Sequence, residues 1–169
     1  MIDPVMKTAL PPIADTETRL LLLGSMPGER SLLAREYYAH PTNAFWWLMG
    51  EVLSETDLWS LPYADRTARL KAHHVGLWDV IASARRQGSL DSAIRDATHR
   101  DLMDFAGKLP QLKAIGFNGG TASRWGRRHF EGRAACWALI DLPSSSAAHA
   151  GMSRAEKLTA WRVVEQFLS

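Results

Sequence analysis

Hydrophobic positions in this chain gather in four short runs. Arg19-Leu20-Leu21-Leu22-Leu23-Gly24 is apolar without alternation and ends on glycine, the pattern of a strand buried on both faces. Val75-Gly76-Leu77-Trp78-Asp79-Val80, Leu112-Lys113-Ala114-Ile115-Gly116-Phe117 and Ala135-Cys136-Trp137-Ala138-Leu139-Ile140 are similar. Between the runs the spacing turns helical. Thr42 or Asn43 stands where a cap belongs, before Phe45, Leu48, Met49 and Val52, and a second helical pattern covers Ala64 to His73. Thr98 is placed to cap a helix carrying Leu102, Phe105 and Leu109, and Gly119-Gly120 leads into one from Ala122 to His129. The last helix is the clearest: Ser153-x-x-Glu156 forms a capping box, and Leu158, Trp161, Val164 and Leu168 share one face. Strands alternating with helices predict an α/β fold, a three-layer α/β/α domain around a small parallel sheet. Residues 1–17, with Pro4, Pro11 and Pro12, read as an irregular lead-in, and residues 18–169 as one domain without linker or repeat.

Composition narrows the class. A chain of 169 residues with 46% hydrophobic and 22% charged residues suits one globular domain and excludes wholesale disorder. No stretch reaches the roughly 18 apolar residues of a membrane span, and the start shows no basic segment followed by an apolar run, so neither a membrane partner nor a signal peptide is expected. Cys136 is the lone cysteine, which excludes an internal disulfide and a multi-cysteine metal site; a reducing cytoplasm is expected. His73-His74 and Cys136 carry no ligand spacing and read as structural, so no metal is expected. Net charge is only +2, yet residues 1–84 hold seven basic against ten acidic residues and residues 85–169 thirteen against eight. Arg85-Arg86 and Arg124, Arg127, Arg128 and Arg133 are the densest basic positions; they suit a phosphate backbone or a solvated surface. Of the seven tryptophans, most are expected in the core and one or two against a ligand.

Parallel sheets bind ligands beyond the carboxyl ends of their strands, which nominates Gly24–Tyr38, Asp79–Gly88, Asn118–Gly120 and Leu142–Gly151. Gly24-Ser25-Met26-Pro27-Gly28 makes a tight turn whose peptide N–H groups suit a carbonyl oxygen or a phosphate, or is a plain strand-to-helix turn. Tyr37-Tyr38-Ala39-His40-Pro41-Thr42-Asn43-Ala44-Phe45-Trp46-Trp47 packs aromatics, an imidazole and an amide together. Asn43 there either holds a water or ligand edge or caps a helix whose aromatics fill the core.

In order along the chain, Gly-Ser-Met-Pro-Gly, Tyr-Ala-His-Pro-x-Asn-x-Phe-Trp, Leu77-Trp78-Asp79-Val80, Gly88-Ser89-Leu90-Asp91, Phe117-Asn118-Gly119 and Leu142-Pro143-Ser144-Ser145-Ser146 resemble the uracil-DNA glycosylase superfamily, and most of all its hypoxanthine-DNA glycosylase branch. The resemblance runs from about Leu20 to the last helix. It implies a four-stranded parallel sheet between helices, a base pocket begun by Ser25 and Met26, and Pro27 and Gly28 facing DNA. Met26 stands where mismatch-specific relatives carry a catalytic Asn; the Asn of His-Pro-x-Asn, Asn43, supplies the catalytic amide instead. Tyr38 matches the aromatic that stacks on the extruded base, Asp79 lies where many relatives carry a base-reading Asn, and Asn118 is a further pocket candidate. The loop from Leu142 matches the motif that enters the minor groove, with Ser144, Ser145, Ser146 and His149 as DNA contacts; Leu142 replaces a catalytic His or Asn, and Ala147 replaces the usual Pro.

The activity so implied is monofunctional hydrolysis of the N-glycosidic bond of a deaminated base, hypoxanthine foremost, after base flipping. Asn43 would orient the attacking water through its amide oxygen. Ionised Asp79 would accept from N1–H, while Asn118 or a backbone N–H would donate to O6. No lysine lies in the four nominated segments, so no covalent intermediate is expected. The expected partner is double- or single-stranded DNA containing a deaminated base, the expected state a monomer, and no cofactor is expected. A uracil-DNA glycosylase and a lesion-binding DNA module without catalysis stay open as alternatives.

Overall fold

The computed structural model describes residues 5–131 and 136–169. Its strands are β1 (Met6–Thr8), β2 (Leu20–Gly24), β3 (Val75–Asp79), β4 (Ile81–Arg85), β5 (Arg95–His99), β6 (Ala114–Asn118) and β7 (Ala138–Leu142). Its α-helices are α1 (Glu29–Ala34), α2 (Phe45–Val52), α3 (Tyr63–Ala72), α4 (Leu102–Gly107), α5 (Gly120–Arg127) and α6 (Arg154–Trp161). Four strands form a parallel sheet in the order β3-β2-β6-β7.

The leucine run explains the layering. Side chains alternate across a strand. Leu20 and Leu22 accordingly enter one core with Phe45, Leu48 and Met49 of α2, Leu70 of α3 and Trp161 of α6. Leu21 and Leu23 enter the other with Leu102 of α4, Ala122 of α5, Ile115 and Phe117. All four leucines are essentially inaccessible, at about 1.5–3 kcal/mol each for full burial. Register then aligns the strand ends: Gly24 faces Asp79, and Asn118 faces Leu142. The four-stranded sheet agrees with the sequence-based expectation, and the capping box at Ser153 and Glu156 is present at α6.

Several expectations are corrected. The lead-in is not wholly irregular: β1 pairs antiparallel with β4, and Ile13 bridges Leu77; Pro4 lies outside the described residues. The segment Asp79–Gly88 is not simply a loop, because β4 continues it and pairs with β5 in a second, three-stranded antiparallel sheet, β1-β4-β5. Thr98 belongs to β5; Asp101 caps α4, its side chain accepting from the Asp104 N–H. The fourth strand runs Ala138–Leu142 and is only partly buried, as befits a sheet edge; Ala135 lies outside the described residues.

Among the tryptophans, Trp46 and Trp161 are buried, whereas Trp59 is 60% exposed. The basic cluster is only partly dispersed, with Arg124 and Arg128 left exposed. Arg86 is fully buried, Arg127 pairs with Asp141 at 2.9 Å, Arg85 lies 3.5 Å from Asp96, and Arg133 lies outside the described residues. His73 and Arg69 both bond Glu55, in keeping with a structural histidine, while Cys136 is exposed.

Candidate active site

A cavity of about 660 Å³ opens at the carboxyl ends of the parallel strands. Its floor exists because β2 ends in glycine. A Cβ on Gly24 would stand 2.6 Å from Asp79 Oδ1 and 3.1 Å from the Tyr38 hydroxyl, so only a residue without side chain lets these two groups converge. The turn that follows is fastened from below. Ser25 Oγ donates to Asp91 Oδ1 at 2.6 Å, Arg86 Nη2 donates to the Pro27 carbonyl, and the Glu29 N–H donates to Ser89 Oγ at 2.9 Å. Gly28 approaches the Ser89 hydroxyl so closely that a Cβ would stand 3.2 Å from it. Met26 is buried and joins the core behind the turn while still lining the cavity.

One wall is the segment entering α2. Ala44 is the cap residue, and neither Thr42 nor Asn43 fills that position. Asn43 nevertheless does local work: its Oδ1 accepts from the Phe45 N–H at 3.0 Å, which satisfies one orphan donor of the helix start and fixes which end of the amide is oxygen. The Nδ2 group is left without a protein partner among the described residues. The two readings of Asn43, capping group and ligand-facing amide, therefore coincide in one side chain.

Tyr38 takes a left-handed backbone conformation with φ +55°, a costly choice for an aromatic residue and a common one at functional sites. Its ring lies on Phe45, centroids 4.0 Å apart at 22°, so one face is covered. Its buried hydroxyl has no hydrogen-bond partner among the described residues.

Asp79 is 3% exposed, and its Oδ2 is buried without a partner among the described residues. Burial pushes its carboxyl up to about 7; Arg100 and Arg86 pull the other way, and the nearby Asp91 carboxylate adds to the rise. Neither arginine forms an ion pair with it. Arg100 stacks on Trp78 at 4.4 Å and donates to the Leu10 carbonyl at 2.8 Å, and Arg86 is committed to Pro27. With a midpoint near 7 the carboxyl is about half ionised at neutral pH and mostly protonated below it, because the two arginines offset only part of the lost hydration.

The opposite wall is the loop after β7. Asn118 Nδ2 donates to Ser145 Oγ, and the Ser145 N–H donates to Asn118 Oδ1, both at 2.9 Å. Ser145 is buried and offers no exposed hydroxyl, because its side chain is taken by Asn118 and its carbonyl accepts from the Ala44 N–H at 2.9 Å. Ser144 and Ser146 each accept a backbone N–H two residues on, as polar turns do. Lys157 of α6, itself buried, donates to the Ser146 carbonyl at 3.1 Å. Gly119, at φ +101°, would bring a Cβ 3.2 Å from Ser144 Cβ. His149 is exposed on the rim, and Leu142 is buried against Gly116.

All the singled-out residues line this one cavity: Ser25, Met26, Pro27, Gly28, Tyr38, Asn43, Asp79, Asn118, Ser144, Ser145, Ser146 and His149. No tryptophan does; Tyr37 and Tyr38 are its aromatics. Sequence reasoning missed the supports, Arg86, Ser89 and Lys157, since buried cations and a loop serine carry no local signal, and it did not assign Asp91 beyond quoting its motif. Exposed Arg30 and Arg124 line the cavity as well. Among the described residues no cluster of three His, Cys, Asp or Glu could hold a metal ion, and no helix is long and apolar enough to cross a membrane.

A family model described as the uracil DNA glycosylase superfamily matches residues 11–165. A protein named hypoxanthine DNA glycosylase from Methanosarcina barkeri is 40% identical over 113 residues, 67% of this chain and 71% of the relative. One of the same name from Methanosarcina acetivorans is 36% identical over 121 residues, 72% and 76% of the two chains. A solution NMR structure from Methanosarcina acetivorans, described as a candidate uracil DNA glycosylase, superposes with a TM-score of 0.84 at 33% identity, covering 97% of this chain and 99% of that one.

Proposed function

The chain belongs to the uracil DNA glycosylase superfamily, and on that premise we propose that it hydrolyses the N-glycosidic bond of a deaminated base in DNA, hypoxanthine foremost, and leaves an abasic site. The observation that carries this reading is the Asn43 amide. It lines the cavity, is held in one orientation by the Phe45 N–H, and keeps its Nδ2 group and a second oxygen lone pair unused.

The target base is inaccessible inside a duplex, so it is extruded into the cavity at a cost of about a few kcal/mol, least for a mispaired base. The face of Tyr38 turned from Phe45 stacks on it. Asn43 holds a water beneath C1′ as positive charge develops on the sugar. An amide is a poor base, so the water adds late, to a sugar already cationic. Ser25 and Met26 complete the base pocket, with Asn118 contributing the second hydrogen of its Nδ2 group. Pro27, Gly28, Ser144, Ser146 and His149 lie where the flanking strand would run. No described lysine lines the cavity, which supports direct hydrolysis over an imine that would go on to cut the strand. The reaction needs no cofactor and one copy of the chain, with DNA as its partner in a bacterial-type cytosol or nucleoid.

A labelled duplex with one deoxyinosine tests this. Wild type should release hypoxanthine and leave an alkali-labile abasic site, and Asn43→Ala should lose nearly all release. Parallel duplexes with uracil and xanthine rank the substrates; preferred release of uracil would instead make the chain a uracil glycosylase. Binding without release on every duplex would favour a lesion-binding module, a reading to which buried Leu142 and Met26 lend some weight, since neither supplies a polar group.

A further inference from the structure

Resting on the glycosylase reading, we propose that Asp79 meets the extruded purine as a neutral carboxylic acid and passes its proton to the ring as the glycosidic bond breaks. The geometry is that of a proton donor without a counter-ion. Asp79 is nine-tenths buried or more, lines the cavity floor, and keeps Oδ2 without a partner among the described residues. No charged group around it forms an ion pair with it, although Arg86 Nε and Nη1 and Arg100 Nε are buried without a hydrogen-bond partner among the described residues. Arg100 Nη2 bonds the Leu10 carbonyl, Arg86 Nη2 bonds the Pro27 carbonyl, and Asp91 accepts from Ser25. Tyr37 bonds the Pro11 carbonyl at 2.7 Å and Tyr63 accepts from the Tyr37 N–H, while the Tyr38 hydroxyl converges with Asp79 over Gly24. Both tyrosines that border the carboxyl, Tyr37 and Tyr38, hold their own protons firmly, since burial drives their phenols well above the ordinary range. With its midpoint held near 7, Asp79 keeps a proton to give at and below neutrality.

The step balances. The C1′–N9 bond breaks with its electron pair going to the purine, and the Asp79 proton goes to N7, the most basic ring nitrogen of an N9-linked oxopurine. The base leaves neutral. The Asn43-held water adds through oxygen to C1′ and gives its surplus proton to solvent, from which Asp79 is reloaded. A pyrimidine has no N7, so the same proton has no matching acceptor there, which orients the pocket toward deaminated purines.

Single-turnover hypoxanthine release from a deoxyinosine duplex, followed from pH 6 to pH 8, tests the proposal. Wild type should slow about tenfold across that span as the acid form is lost. Histidines His40 and His149 share the cavity, so the assignment rests on the Asp79→Asn variant. It should still bind the duplex by fluorescence anisotropy, release base about 10²-fold more slowly at pH 6, and lose the pH dependence. Should that variant not fold, wild type on a duplex carrying 7-deazadeoxyinosine decides the matter, with release expected to fall by a similar factor. A wild-type rate that rises through pH 7, an Asn variant with full activity, or normal release of the 7-deaza base would each overturn the proposal while leaving the glycosylase reading intact. Absence of release at every pH would overturn both.

Discussion

Asn118 and Ser145 clasp each other through two hydrogen bonds, side chain to hydroxyl and peptide N–H to side chain, each 2.9 Å long. This joins the end of a central strand to the loop expected to meet DNA. Truncating Asn118 to Ala strands a buried N–H and a buried hydroxyl, at about 1–3 kcal/mol. Asn118→Ala should therefore lower the urea midpoint and slow base release together, and Asn118→Asp, which keeps the acceptor but buries a carboxylate without a counter-ion, should recover little of the stability at neutral pH. Equilibrium unfolding of the two variants checks this.

Tyr38 separates stacking from its hydroxyl. Tyr38→Phe keeps the ring on Phe45 and removes a buried group that lacks a partner, so stability should hold or rise. Tyr38→Ala should weaken engagement of the lesion by about 1–3 kcal/mol. Titrating both variants with a deoxyinosine duplex distinguishes them; equal affinities would remove the ring from its stacking role.

Gly119 is held at φ +101° against Ser144. Gly119→Ala meets both a disfavoured backbone and a close Cβ contact, and should cost about 1–3 kcal/mol. The thermal midpoint should fall by several degrees, by roughly 2–4 °C per kcal/mol in a chain of this size.

Asp79 makes stability depend on pH. In the unfolded chain its carboxyl titrates near its ordinary 3.8, and in the folded chain near 7. Between those values the folded state binds more protons, so this group's effect is a loss of stability as pH rises from about 4 to about 7, level above that. Asp79→Asn removes the loss. At pH 8 the variant should be more stable than wild type, by on the order of 4 kcal/mol, and the two should converge near pH 4. Denaturant titrations at the two pH values read this directly, and a variant less stable at pH 8 would contradict it.

The sequence carries the central sheet plainly, since a non-alternating run such as Leu20–Leu23 has no other economical fate than burial on both faces. It also carries the site's outline, because ligand loops of a parallel sheet follow its strand ends. The antiparallel flank is another matter. Arg95-Asp-Ala-Thr-His is exposed along its whole length and charged at its start, so β5 has no apolar signature, and three-residue β1 is too short to leave one. Arg86 looks like half of a surface basic pair, and only the fold shows it sealed beneath Pro27. The burial that raises the Asp79 carboxyl is equally invisible, because it depends on how the fold closes around the end of β3.

The cavity walls are joined in series. Asp91 holds Ser25, Ser31 Oγ accepts from the Ala39 N–H at 3.0 Å, the Ala44 N–H reaches Ser145, and Ser145 grips Asn118. Segments linked hand to hand in this way loosen as a unit. Amide hydrogen exchange should find one shared opening energy around the mouth of the pocket, below that of the leucine-filled strands, so that warming would silence the enzyme before it melts the scaffold.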